Sequence, residues 1–343
     1  MDIFIGLSLA VLGGIFQGTF VLPMKYMKKW EWENSWLIFT VTCCLIFPAI
    51  LAFSFVPNLI QIYRDTSGPV MHAVFWFGAG WGIGVILFGL GARFLGMALG
   101  LAIVTGINAC LGTLFPMFFL PEGSFSVKAG LILGAGMFIL VLGIIVISLA
   151  GAMRDKQLQS QVSQKPEVSF VVGLLVCIVG GALCPMLNFC VFFGQPISKA
   201  VIDAGGVSLV NVGYAQLLPA FVGGSFAQII YCIYLFKKNH SFKNYFIPGT
   251  AMNWFKSVLM SVIFLIGFVV YTIASVKYIK GVGPIVGWPL LTATVIITAN
   301  IVGVLTREWQ GVSRKAFLKM YLGMLLLIVA IVVAGLSNVY IPR

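Results

Sequence analysis

Apolar residues along this chain gather into about ten stretches of roughly 20 residues, parted by short polar connections. A stretch of that length crosses the hydrocarbon of a bilayer as a helix, in which every backbone N–H and C=O finds its partner without water. The pattern predicts helices over 3–22, 35–56, 70–91, 95–120, 128–150, 168–193, 208–236, 251–275, 282–303 and 317–336, to within a few residues. One longer polar linker, residues 151–167, divides them five and five. An odd set of spans makes the second set enter from the opposite face. The expected fold is an all-α integral membrane protein of ten transmembrane helices, built as two inverted five-helix repeats at 1–150 and 168–343.

Two short matches support the repeat. Phe4-Ile5-Gly6-Leu7 followed by Gly13-Gly14 matches Val171-Val172-Gly173-Leu174 followed by Gly180-Gly181 at one constant offset. Ala92-Arg93-Phe94-Leu95 resembles Val276-Lys277-Tyr278-Ile279, each between the third and fourth helix of its half. Charge inverts as well: the first connection of the first half is basic, and its counterpart in the second half is not.

Composition sharpens the membrane reading. Hydrophobic residues make up 60% of the 343 and charged residues only 9%, where soluble domains run near a quarter charged. The net charge of +12 would suit nucleic acid on a soluble chain, but the 21 Lys and Arg fall almost entirely between spans. They read as topology signals and contacts to lipid headgroups, so the partner they imply is the bilayer. Fifteen lie on one side of the predicted topology against six on the other. That asymmetry puts the 151–167 linker in the cytoplasm and both termini outside, in a protein that crosses its membrane many times. The seven cysteines all sit in apolar stretches and read as small packing residues. Asp2, with no basic run ahead of the first apolar stretch, argues that this stretch stays as the first span.

Inside the spans the chemistry is sparse and neutral. Glycines recur four apart, as at Gly14 and Gly18 or Gly78 and Gly82, a spacing that lets helix backbones approach closely. Pro48, Pro116, Pro185, Pro219 and Pro289 interrupt spans, and Pro185 and Pro289 are expected beside a cavity. None of the nine acidic residues falls in the middle of a predicted span, which disfavours a cation exporter that relies on a buried carboxylate. Amides do penetrate, and with the tryptophans they offer the donors, acceptors and flat faces that suit a neutral sugar. The candidate cavity residues are Gln17, Trp81, Asn108, Asn188, Gln216 and Trp288. Lys25 and Lys256 near span ends, and Glu122 and Asp203 in connections, are candidates for the pathway or for proton coupling. No nucleophile, metal or phosphate-loop pattern is present, so neither an enzyme nor a cofactor is expected.

Specific strings go further. Pro23-Met24-Lys25-Tyr26-Met27-Lys28-Lys29-Trp30-Glu31-Trp32-Glu33, Phe77 to Gly84, Arg93-Phe94-Leu95-Gly96-Met97, Gly112-Thr113-Leu114, Asn188 and Arg307-Glu308-Trp309 resemble segments of the bacterial L-rhamnose/proton symporter family, within the drug/metabolite transporter superfamily. The resemblance covers essentially the whole chain. It implies a cavity walled by helices 1 to 4 and 6 to 9, with 5 and 10 peripheral, and sugar uptake driven by protons. The chain departs from the rhamnose carriers at Val85, Ile86 and Leu87 and at Gly267, where amides are expected on the cavity wall. The function expected is secondary active, proton-coupled uptake of a small neutral, rhamnose-like sugar by alternating access. The alternative is an exporter of amphipathic metabolites or drugs on the same fold.

Overall fold

The computed structural model describes residues 2–121, 123–158, 169–205, 209–279 and 282–341. Among these, ten helices are long and apolar enough to cross a membrane, and no residue is in a strand. They are α1 (Phe4–Tyr26), α2 (Trp32–Phe55), α3 (Gly68–Leu95), α4 (Leu99–Met117), α5 (Val127–Leu158), α6 (Phe170–Asp203), α7 (Asn211–Asn239), α8 (Ala251–Tyr278), α9 (Gly283–Leu305) and α10 (Arg314–Tyr340). Successive helices run antiparallel, so the connections gather at two ends. The basic end carries the α1–α2 connection with Lys25, Lys28 and Lys29, and the α7–α8 and α9–α10 connections. The other end carries the connections after α2, α4, α6 and α8.

Sequence reasoning placed the spans to within a few residues, and the differences have local causes. α2 starts at Trp32, three residues before the expected 35, because Glu31 and Asn34 form a reciprocal capping box at its N-terminus. α5 continues through Leu158, so the first part of the expected linker at 151–167 is helix; the remainder, 159–167, lies outside the described residues. A short helix, Leu59–Asp65, fills the α2–α3 connection. α6 is broken: Phe170–Leu183 ends at a turn through Cys184 and Pro185, Met186–Phe193 resumes, and Gln195–Asp203 follows after Gly194. Pro185 cannot donate to a carbonyl four residues back, which explains the break. Pro48 acts similarly in α2, where a π-helical turn over Val41–Ile46 precedes it.

Glycine sets how the helices meet. A Cβ on Gly78 of α3 would stand 2.0 Å from the carbonyl oxygen of Ala220 in α7, and one on Gly82 would stand 2.2 Å from that of Gly224. Only a bare backbone fits at that separation. Gly14 and Gly18 of α1 meet Thr294 and Thr298 of α9, while Gly136 and Gly143 of α5 meet Ala334 and Leu327 of α10. Two further sets resemble each other. Gly6, Gly13 and Gly14 of α1 face Tyr278–Ile279, Tyr271 and Leu291–Thr294; Gly173, Gly180 and Gly181 of α6 face Phe94–Leu95, Leu87 and Val104–Ile107.

Candidate functional site

The centre of the bundle is organised by one face of α8. Phe264, Phe268 and Tyr271 follow one another at spacings of four and three, so their rings line up along the helix. Ring centroids step 5.2 Å from Phe264 to Phe268, 6.1 Å to Tyr271 and 5.9 Å on to Trp288 of α9. Trp81 of α3 is buried beside this row, 5.9 Å from Phe264 and 5.9 Å from Phe221 of α7. Its ring lies over Gly224, whose missing side chain makes the room. Gln17 of α1 reaches the same level and donates to the carbonyl of Phe264 at 2.8 Å. The absence of a side chain at Gly267 permits this, since a Cβ there would stand 2.9 Å from Gln17 Nε2. An amide supplied by α1 thus occupies the place where the sequence lacks one on α8.

Further toward the non-basic end, Asn188 of α6 is fully buried and tied to three helices. Its Nδ2 donates to the carbonyls of Gly112 in α4 (2.8 Å) and Pro284 in α9 (2.9 Å), and its Oδ1 accepts from the hydroxyl of Tyr271 in α8. Pro185 positions it by starting the helical segment that carries it. Trp288 donates from Nε1 to the carbonyl of Asn108 at 3.1 Å and covers Gly112, where a Cβ would stand 2.1 Å from that nitrogen. Three polar atoms on these helices are buried without a hydrogen-bond partner: Asn108 Oδ1 and Thr113 Oγ1 of α4 and Ser275 Oγ of α8. Ser275 Oγ and the Tyr271 hydroxyl face Gly287, the residue just before Trp288. A buried polar atom left unpaired costs about 1–3 kcal/mol, so such atoms mark places where a hydrogen-bonding ligand is favoured.

Gln216 of α7 stands apart from this cluster. It is fully buried, donates to the carbonyl of Val191 at 2.7 Å and accepts from Ser198 at 2.8 Å, which clamps the broken end of α6. Leu87 packs against Gly180, at the contact of α3 with α6. Asp203 ends the last segment of α6 and is exposed, while Glu122 lies outside the described residues.

At the basic end, hydrogen bonds cross between the two halves. Lys25 donates to Thr306 Oγ1 (2.6 Å) and pairs with Glu308 (2.8 Å), whose other oxygen is 3.5 Å from Arg154 of α5. Arg154 also pairs with Asp155 and lies 5.2 Å from the centre of the Trp309 ring. Lys256 donates to the carbonyl of Tyr26, and Asn253 to that of Lys28 at 2.9 Å. Both candidate lysines are therefore engaged with protein, each across the halves. At the other end Tyr63 donates to the carbonyl of Ala215 at 2.7 Å, again across the halves. Burial pushes the Tyr63 phenol well above its ordinary pKa, so it stays a donor across the physiological range.

Sequence reasoning missed Tyr271, Ser275, Glu308 and the aromatic row. Aromatic residues at helical spacing signal packing against something, and nothing in the sequence says against what. Among the described residues no group of His, Cys, Asp and Glu could hold a metal ion.

Neutral amides and aromatic faces are thus buried between helices from both parts of the chain. Residues 1–339 fit the family model described as L-rhamnose-proton symport protein (RhaT). The chain belongs to that family. It is 29% identical over 344 residues to the L-rhamnose-proton symporter of Yersinia pestis (strain Pestoides F), covering 98% of each chain. It is also 29% identical over 341 residues to the L-rhamnose-proton symporter of Cronobacter sakazakii, covering 97% of each. Family membership and ten apolar helices make it a multi-pass membrane transporter.

Proposed function

We propose that this protein imports L-rhamnose or a closely similar neutral sugar together with a proton, by alternating access of two inverted five-helix halves. The observation that carries the reading is the match to the symporter family along the entire chain, from residue 1 to 339. The site's chemistry supports it. Asn108 Oδ1 and Ser275 Oγ are buried and unpaired, so sugar hydroxyls would find an acceptor and a donor there, and Trp288 and Tyr271 offer ring faces to the apolar side of a pyranose. Gln17 and Trp81 form the central wall of the same path, and Asn188 holds four helices around its outer part.

The glycine contacts support inversion. α1 meets α8 and α9 through the same three positions by which α6 meets α3 and α4, and the partners correspond as well, Tyr278–Ile279 with Phe94–Leu95. In this reading the basic end is cytoplasmic and both termini are outside. Hydrogen bonds join the halves at both ends, and transport breaks one set at a time. The inner set centres on Lys25 and Glu308, the outer on Asn188 and Trp288. Counterflow in vesicles containing the purified protein tests the substrate: labelled L-rhamnose should enter faster when unlabelled L-rhamnose is preloaded. Counterflow with amphipathic drugs and none with any neutral sugar would instead support the exporter.

A further inference from the structure

Among the described carboxylates, Glu33 alone is buried; it is 2% exposed, at the start of α2. It accepts from Ser241 Oγ, and from Asn239 Nδ2 at 2.9 Å, both in the opposite half of the chain. We propose that Glu33 carries the coupling proton, binding it when the cavity faces outside and releasing it to cytoplasmic water. This deepens the symport reading above and rests on it.

Three features of the geometry favour Glu33. The first is its place on α2: Glu33, Trp36 and Thr40 follow at spacings of three and four and share one stripe facing α7. The second is a polar path along that stripe. Trp36 Nε1 (2.9 Å) and Thr40 Oγ1 (3.3 Å) both donate to Gln228 Oε1, and Gln228 donates on to the carbonyl of Gly224, the residue covered by Trp81. Buried polar groups therefore run from the residue beneath the Trp81 ring toward Glu33. The third is what protonation does to the bonds. Ionised, the carboxylate only accepts, and both described donors to it are neutral; protonated, it becomes a donor itself, so a hydroxyl or amide that now donates to it must turn. Since those donors belong to the other half, the proton's presence is felt at the contact between halves.

Around Glu33, α7 contributes Tyr231 and Cys232, and the turn at Ser241–Phe246 contributes Tyr245, which donates to the Asn34 carbonyl. Lys237, Lys238, His240 and Lys243 on these elements are exposed, Lys256 of α8 is bonded to Tyr26, and exposed Arg93 of α3 lies near Tyr231. The proton balance is simple. One proton leaves external water for the carboxylate, and the same proton leaves the carboxylate for cytoplasmic water, one for each sugar carried.

The test uses the full chain in vesicles. E33Q should keep rhamnose counterflow at the wild-type rate yet lose all stimulation by an inward proton gradient, while E33D, still an acid, should keep stimulation with a shifted pH profile. Gradient stimulation surviving intact in E33Q overturns the proposal, and so does equal loss of counterflow and driven uptake in folded E33Q and E33D. Infrared titration without sugar gives an independent reading, so that failure of rhamnose as the substrate is distinguished. The wild-type-minus-E33Q difference spectrum should contain a protonated-carboxyl band that grows as pH falls, over and above the band common to both from the other acidic residues; a difference spectrum without it also overturns the proposal.

Discussion

Asn188 and Ser275 show how differently two buried polar residues serve one site. Asn188 is saturated by three bonds to three helices, so Asn188→Ala strands the carbonyls of Gly112 and Pro284 and the hydroxyl of Tyr271. We expect a loss of about 1–3 kcal/mol in folding stability, read as a lower unfolding temperature in detergent. Ser275 Oγ has no partner, so Ser275→Ala removes an unpaired polar atom. Thermal stability should hold or rise while sugar affinity falls by roughly tenfold, about 1.4 kcal/mol. If both variants lose stability alike, Ser275 is only a packing residue. The amides of this site were legible in the sequence because an amide in an apolar span is conspicuous. Tyr271 was not: a hydroxyl on a packed aromatic is invisible until its partner across the bundle is known. Gln216 was equally conspicuous, yet its bonds to Val191 and Ser198 fix a helix end, and sequence offers no way to separate these two uses of an amide.

Between elements, glycine decides which helices can meet. Gly78→Leu would drive a side chain into the α7 backbone at Ala220, where even a Cβ would come within 2.0 Å of the carbonyl oxygen. The expected outcome is loss of folded protein, seen as failure to elute as a monodisperse species. Gly134 of α5 has nothing within 4 Å of a Cβ, so Gly134→Ala should leave uptake unchanged and stability within about 1 kcal/mol, helped by the better helix former. The glycines four apart announced close approach but not the partner, which depends on how helices distant in sequence assemble. The spans themselves were readable from hydropathy, because the bilayer fixes their length. The start of α2 was misplaced by three residues, and that error hid Glu33 in a connection. The Glu31 to Asn34 capping pair was the available signal.

For the molecule as a whole, Lys25 and Glu308 join the halves at the basic end. Both are partly exposed, and an ion pair there contributes little stability, so its effect belongs to the opening equilibrium. Lys25→Glu or Glu308→Lys alone should slow uptake severely, and the double exchange should recover a substantial part of it; no recovery would show that the pair does not act as a latch. Two short sequence matches, one of them with paired glycines, pointed to a two-half organisation, and Gly6 and Gly173 make contacts that resemble each other. Which sugar fits was not legible, because the proposed site draws side chains from both parts of the chain, as Gln17 filling the space at Gly267 illustrates. Proton-coupled sugar import means accumulation against the sugar's own gradient. Vesicles containing the purified protein, given an inward proton gradient and labelled L-rhamnose, should accumulate it above the external concentration and release it when a protonophore collapses the gradient. Uptake that only equilibrates, with or without the gradient, for L-rhamnose and related neutral sugars alike, would contradict it.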